Sequence, residues 1–182
     1  SMMREILMES KLDDEKRLTE ILSTLKSRLQ MGFLSSGHTT AVLRAGSYAS
    51  PISKFKDDTD GIGFYQVVKE VEEHFEEKKA ELIQHLQELA ALICRADNMM
   101  VSYTSAPEGL AAAQENVRKL KENLHQEELA EETRCIMHCE KRNEGFKTSS
   151  KVQYVAKAGN FIDQGAEYNG ALQILKVILS YD

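Results

Sequence analysis

The sequence predicts a mainly helical α+β chain with about three short strands, and three observations carry that expectation. Apolar residues recur at three- and four-residue steps through most of residues 14–124 and again near the end. Three short runs, Asn98–Thr104, Arg134–Glu140 and Lys151–Lys157, instead alternate or gather β-branched and aromatic residues. Trp is absent and Pro occurs twice, while hydrophobic residues make up 42%, so the chain can pack a core and is not of low complexity.

Taken in order, Ser10-Lys11-Leu12-Asp13 opens the first helix, with Asp13, Asp14 and Glu15 where the helix dipole favours anions. Leu18, Ile21, Leu22, Leu25 and Leu29 make its stripe, and it is expected to end near Gly32. A second helix is read from about Thr39 to Tyr48; its Ala41, Ala45 and Gly46 allow close backbone approach. Ser50-Pro51 restarts the chain as N-cap and first helical residue. Residues 54–63 are read as a capped polar loop holding Asp57, Asp58 and Asp60.

Phe64, Val67, Val68, Val71 and Phe75 form a third stripe, and Leu82, Leu86, Leu89 and Ile93 a fourth. Asn98–Thr104 then reads as a strand. Ser105-Ala106-Pro107-Glu108 has the form of a capping box and launches a helix through Leu110, Ala113, Val117, Leu120 and Leu124. Residues 126–133 are acidic without apolar rhythm and form the linker. Strands over residues 134–140 and 151–157 follow, the second broken by Ala158-Gly159-Asn160. Leu172, Ile174, Leu175, Ile178 and Leu179 give a closing helix that is apolar over much of its circumference and is therefore expected to be buried. It meets no Gly or Asn stop before Ser180-Tyr181-Asp182, which leads to the expectation that the polypeptide continues.

The net charge of −6 argues against broad binding to nucleic acid or anionic membrane. No apolar run reaches the roughly 20 residues of a membrane helix. No leader pattern opens the sequence, since Met2-Met3-Arg4 runs into charged residues. Three cysteines are an odd number and build no disulfide framework, so a cytoplasmic, reducing location is expected.

The search for chemistry returns no catalytic, cofactor-binding or metal set. Five histidines form neither H-E-x-x-H nor H-x-x-E-H; His74 is followed by Lys78 where a second ligand would stand, on an acidic face that reads as solvated. Cys135, His138 and Cys139 lack the second ligand pair of a zinc site, and on a strand His138 would point away from the two cysteines. Structural cysteines are the commoner reading, and whether the three ever bind metal stays open. No G-x-S-x-G occurs, Asp57, Asp58 and Asp60 miss calcium-loop spacing, and Gly159 and Gly165 make no phosphate loop. Arg44, near His38, reads as a buried ion-pair or packing residue, with a substrate role as the alternative.

Two stretches resemble a known family. Ser36-Gly37-His38-Thr39-Thr40-Ala41-Val42-Leu43-Arg44-Ala45 with Ser47–Pro51, and Asn143-Glu144-Gly145-Phe146-Lys147-Thr148 through Val152–Lys157, Gly159-Asn160-Phe161 and Tyr168–Leu172, look like the presequence-protease (falcilysin-like) branch of the pitrilysin/insulinase-type zinc metallopeptidases. The resemblance implies an internal fragment in two parts. Residues 1–131 would end the third, peptidase-associated domain, and 132–182 would open a truncated C-terminal peptidase-like domain. Both would belong to metallohydrolase-like α/β sandwiches of the mitochondrial-processing-peptidase/LuxS-like kind.

The family's zinc ligands and general base lie in an H-x-x-E-H motif that is absent from this sequence, and its substrate-binding Arg and Tyr would fall beyond Asp182. By resemblance the parent enzyme uses zinc-activated water, with Glu as base, on unfolded peptides held in a closed chamber. This chain would supply chamber wall and domain packing, with the remaining domains as its partners, and be inactive alone. The alternative is a stand-alone helical module that self-associates through its first and last helices, without enzymatic activity.

Overall fold

A computed structural model describes residues 2–127, 135–149 and 151–180. The part of the linker beyond residue 127, Arg134 and the ending at Tyr181-Asp182 lie outside the described residues, as does the 131/132 boundary.

Among the described residues there are eight α-helices, α1 (Met2–Met8), α2 (Glu15–Ser35), α3 (Gly37–Ser47), α4 (Pro51–Asp60), α5 (Ile62–Glu73), α6 (Phe75–Ile93), α7 (Pro107–Glu122) and α8 (Gly170–Ser180), with one 3₁₀ turn at Ile162–Gln164. The expected α+β class is thereby corrected. No strand forms among the described residues, and their one β-type backbone pairing is an isolated bridge between Arg95 and His125. A strand needs a partner to take up its backbone hydrogen bonds, and alternating sequence alone supplies none. Residues 98–104, 135–140 and 151–157 run without one. Met100 is 96% exposed and Val155 87% exposed, so no sheet face covers them. The α/β sandwich is likewise not observed.

The helices follow the stripes with local shifts. α1 carries no cap signal and was not expected; Ser10 Oγ closes its end by donating to the Ile6 carbonyl at 2.6 Å. α2 starts after Asp14, whose side chain accepts from the Arg17 N–H at 2.9 Å, so this aspartate is the cap and not a first-turn residue. α2 also runs through Gly32 to Ser35. Ser50 caps α4 as expected, accepting from the Ser53 N–H at 3.4 Å with Pro51 next. The capping box before α7 does not form: Ala106 holds the cap position, and Ser105 Oγ donates to the Ala106 carbonyl.

The chain divides into two compact units, Ser1–Leu25 with Lys69–Arg134 and Lys26–Val68 with Cys135–Asp182. In the first unit Leu22 and Leu124 are buried, and Lys79 on α6 pairs with Glu15 at the start of α2 at 2.8 Å. The chain leaving α6 is fastened to the chain leaving α7: His125 N–H donates to the Cys94 carbonyl at 3.2 Å and Ala96 N–H to the His125 carbonyl at 3.3 Å. Buried Arg95 beside them pairs with Asp97 at 3.0 Å.

In the second unit Leu29, Ile62 and Val68 are buried, and Phe33 meets Tyr65 edge-on at 5.4 Å. Gln30 donates to the Tyr65 hydroxyl at 2.8 Å. α8 departs from expectation: Ile174 is 64% and Leu179 70% exposed, so its apolar surface is uncovered and not buried.

Candidate functional site

The densest polar arrangement in the second unit grows from the turn between α4 and α5. Asp57 sits on the last turn of α4 with its side chain fully buried. Its Oδ1 accepts from the Ile62 N–H at 3.1 Å and its Oδ2 from the Gly63 N–H at 3.2 Å. One carboxylate thus satisfies two orphan donors at the start of α5, where the helix dipole also favours an anion. Gly61 is required here: a Cβ on it would lie 2.5 Å from Asp57 Oδ1 and 2.8 Å from Asp57 Cα.

The negative charge is met from α3. Arg44 Nη1 donates to Asp57 Oδ2 at 2.6 Å, with Arg44 itself 12% exposed. A buried carboxylate is tolerated when it is paired and hydrogen-bonded, and Asp57 is both. Ser47, also buried, donates to the Arg44 carbonyl at 2.7 Å and fixes that turn of α3.

The opposite edge of the guanidinium faces residues 140–148. Arg44 Nε donates to Glu144 Oε2 at 2.9 Å and Nη2 to Oε1 at 3.2 Å, a two-pronged carboxylate grip. The Tyr48 hydroxyl, one helical turn on, donates to Glu144 Oε2 and accepts from Arg44 Nε at 2.9 Å. The rings of Tyr48 and Phe146 lie 5.4 and 5.8 Å from the guanidinium carbon.

These contacts move the titrations. Burial alone would lower the Arg44 pKa, but its hydrogen bonds to Asp57 and Glu144 outweigh it and hold the cation more firmly than usual. Burial and donation to Glu144 push the Tyr48 hydroxyl up. Burial would raise Glu144, yet the donors Tyr48 and Arg44 hold its carboxyl below the usual range. Every partner is another group of the same unit, so the arrangement is chemically closed: an ion-pair network with no free base, acid or nucleophile. The ion-pair reading of Arg44 thus agrees with the geometry. His38 stacks against Tyr154 at 6.1 Å and takes no part in the network.

The network encloses one side of a groove of about 1970 Å³, lined by Phe33, Arg44, Tyr48, Tyr65, Phe146 and Tyr154 among others. Residues 139–164 form its other wall and carry Lys141, Arg142, Lys147 and Lys157 on a chain that is acidic as a whole. Asn160 on this wall donates to the Ala49 carbonyl at 3.3 Å.

Cys135, His138 and Cys139 do not converge on a metal geometry. Cys135 and His138 are exposed, and Cys135 Sγ meets Met137 Sδ at 3.9 Å. No group of three or more His, Cys, Asp or Glu among the described residues is placed to hold a metal ion. His74 is near Glu70, with Nδ1 at 3.2 Å from the Glu70 carbonyl, on the solvated face expected of it. No described helix is long and apolar enough to cross a membrane.

Asp57 is the residue that sequence reasoning misses, because residues 54–63 read as a loop. The signal is present: an aspartate before a glycine and an apolar run is a helix-start pattern. The partnership with Arg44 has no local signal, since thirteen residues separate the two.

Residues 1–71 match the peptidase-associated family of metallopeptidase family 16, subfamily C. Over 178 residues, 98% of this chain, the sequence is 31% identical to Protein HypA of Clostridium perfringens, covering 18% of that protein. Over 180 residues, 99% of the chain, it is 21% identical to Presequence protease 1, chloroplastic/mitochondrial, of Arabidopsis thaliana, covering 17% of that protein. The chain therefore spans less than a fifth of the length of these curated relatives. No solved structure matches it.

Proposed function

We propose that this chain, which carries the peptidase-associated segment of that metallopeptidase subfamily and is related along nearly its whole length to a presequence protease, works as a non-catalytic part of a longer peptide-degrading enzyme. The observation that carries the reading is the coincidence of that kinship with a closed polar network. The best-organised polar cluster of the second unit holds helices and a long connecting segment together, and leaves no group free for acid, base or nucleophilic work. In this role the chain supplies wall and packing surface to a chamber that encloses unfolded peptides. The remaining domains of the parent and its peptide substrates are its partners. Zinc and the reacting groups reside elsewhere in that parent, in a cytoplasmic setting.

A second reading is favoured by one specific observation. Ile174, Leu175, Val177, Ile178 and Leu179 are all exposed on α8, an apolar surface that suits self-association by a module acting alone.

Two measurements separate these readings. The purified chain is expected to hold no stoichiometric zinc and to cleave no unfolded peptide; one zinc per chain with peptidase activity overturns the non-catalytic role. In the full-length parent, a photo-crosslinker placed in this segment is expected to capture an unfolded peptide trapped by an inactivated enzyme. Capture of none, from any position tried, removes the chamber-wall role.

A further inference from the structure

The grip on Glu144 has the construction of a receptor, not of a chance surface pair. Arg44 is held before any strap residue arrives: Asp57 fixes Nη1, and the Arg44 carbonyl is fixed by Ser47. Tyr48 stands one turn along the same helix and aims its hydroxyl at the same spot. A fork of guanidinium donors beside a phenolic donor matches the two oxygens of a carboxylate, and little side-chain entropy remains to be lost on binding. The carboxylate that fills it comes from far along the chain, one hundred residues beyond Arg44.

The segment that carries it is of another kind. Residues 135–148 form neither helix nor strand, so no backbone ladder holds them. Most of these side chains are exposed. Glu144 and Phe146 are the side chains that reach Arg44, one by hydrogen bonds and one by its ring. Around the carboxylate, the charged and titratable groups are Arg44 and Tyr48 from α3, Asp57 from α4 behind Arg44, and Arg142 of the segment itself.

We propose that Arg44 and Tyr48 form a preorganised carboxylate receptor that Glu144 fills in cis, making residues 139–149 a strap latched by an exchangeable carboxylate. The ligand class follows from the donors: the receptor accepts a carboxylate from another source once Glu144 is withdrawn. The receptor half persists without the strap, because the Arg44–Asp57 pair and the cap on α5 do not use Glu144. This inference does not rest on the peptidase reading; it concerns a contact inside one unit and holds for a stand-alone module as well.

Hydrogen exchange on the whole chain tests the latch. In Glu144→Gln the amides of residues 141–148 are expected to exchange about tenfold faster than in the parent sequence, while those of α4 and α5 keep their rates. Unchanged strap rates overturn the latch. Equal acceleration through α4 and α5 also overturns it, because Glu144 would then be an inseparable part of the core. The receptor is tested with acetate as the probe, followed by NMR of the Arg44 Nε–H in Glu144→Ala. Saturable binding is expected there, with affinity at least about tenfold weaker in the chain that keeps Glu144. Arg44→Lys in the Glu144→Ala background preserves a charge for Asp57 and removes the fork, so it should abolish the saturation. Chloride at equal ionic strength serves as control, and an identical response to both anions removes the carboxylate receptor.

Discussion

The turn joining α4 to α5 and the helix α8 invert the usual relation between polarity and burial. At the first, the most deeply buried side chain is a carboxylate, Asp57; at the second, leucines and isoleucines face solvent. The difference shows that burial follows from available partners, not from hydropathy alone. Asp57 is enclosed because two N–H groups and a guanidinium meet it within the unit. α8 has the stronger apolar pattern, yet no described residue covers it.

Removing Asp57 is the largest blow to the first half of that comparison. Asp57→Ala should destabilise the chain by about 3 kcal/mol or more, since it leaves Arg44 without its buried partner and α5 without its cap. Chemical denaturation followed by circular dichroism measures it. Asp57→Asn should cost less, because an amide oxygen still accepts one N–H; equal loss in both variants would locate the effect in the charge and not in the cap.

Gly61→Ala probes the same turn without touching its charges. The new Cβ collides with Asp57 at both Oδ1 and Cα, and backbone cannot yield as a flexible side chain does. A loss of about 1–3 kcal/mol in the same denaturation experiment is expected. Gly32→Ala, whose added Cβ meets nothing within 4 Å, is the matched control and should be neutral or stabilising. If both glycines tolerate alanine equally, the tight packing around Asp57 is refuted.

Acid distinguishes the strap from the turn. The Glu144 carboxyl is held below its ordinary value of 4.5 by Tyr48 and Arg44, against the effect of its burial. A depressed folded-state pKa contributes stability that is present above the ordinary value and lost as pH falls through the depressed one. The fluorescence of a dye at residue 147 should therefore report strap release below about pH 4.5, with α-helix content unchanged at the onset. Arg44, Tyr48, Asp57 and Arg142 face the same carboxylate and share in the transition. Simultaneous loss of helix and dye signal would show that strap and turn are one cooperative unit.

How much of this is legible in sequence divides along the same line. The helices are readable because their signal is local: each stripe, and Ser50-Pro51 ahead of α4, lies within one element. The strand patterns mislead because β-structure is a pairwise property. The Lys151–Lys157 run has the right residues, yet Val155 stands in solvent and no neighbour completes a ladder. Arg44 is legible as a residue in want of a partner, but its partners Asp57 and Glu144 lie thirteen and one hundred positions away, beyond the reach of any local pattern. The absence of an H-x-x-E-H motif is legible outright, and the kinship with peptidase-associated sequences supplies what the residues alone could not.

The smallest expected effect on stability belongs to α8, and it sharpens the contrast most. Ile174 and Ile178 lie one turn apart and are 64% and 59% exposed. Replacing both with Lys removes apolar surface that is already in water, so the denaturation midpoint should move by no more than about 0.5 kcal/mol equivalent. The same change at Leu22 and Leu29, each 9% exposed, should unfold the chain, because it buries two charges without partners. Association separates the two readings of the exposed helix. A module that self-associates through α8 loses its dimer on Ile174→Lys/Ile178→Lys, as light scattering would register, and its stability then falls with dilution in the parent sequence. A segment whose α8 packs on other domains of a longer peptidase shows no such change alone, and the double substitution instead weakens the assembled enzyme. An α8 that proves costly to substitute even in a dilute monomer would mean that its apolar side chains are covered within the chain, and the inversion between the turn and the helix would fail.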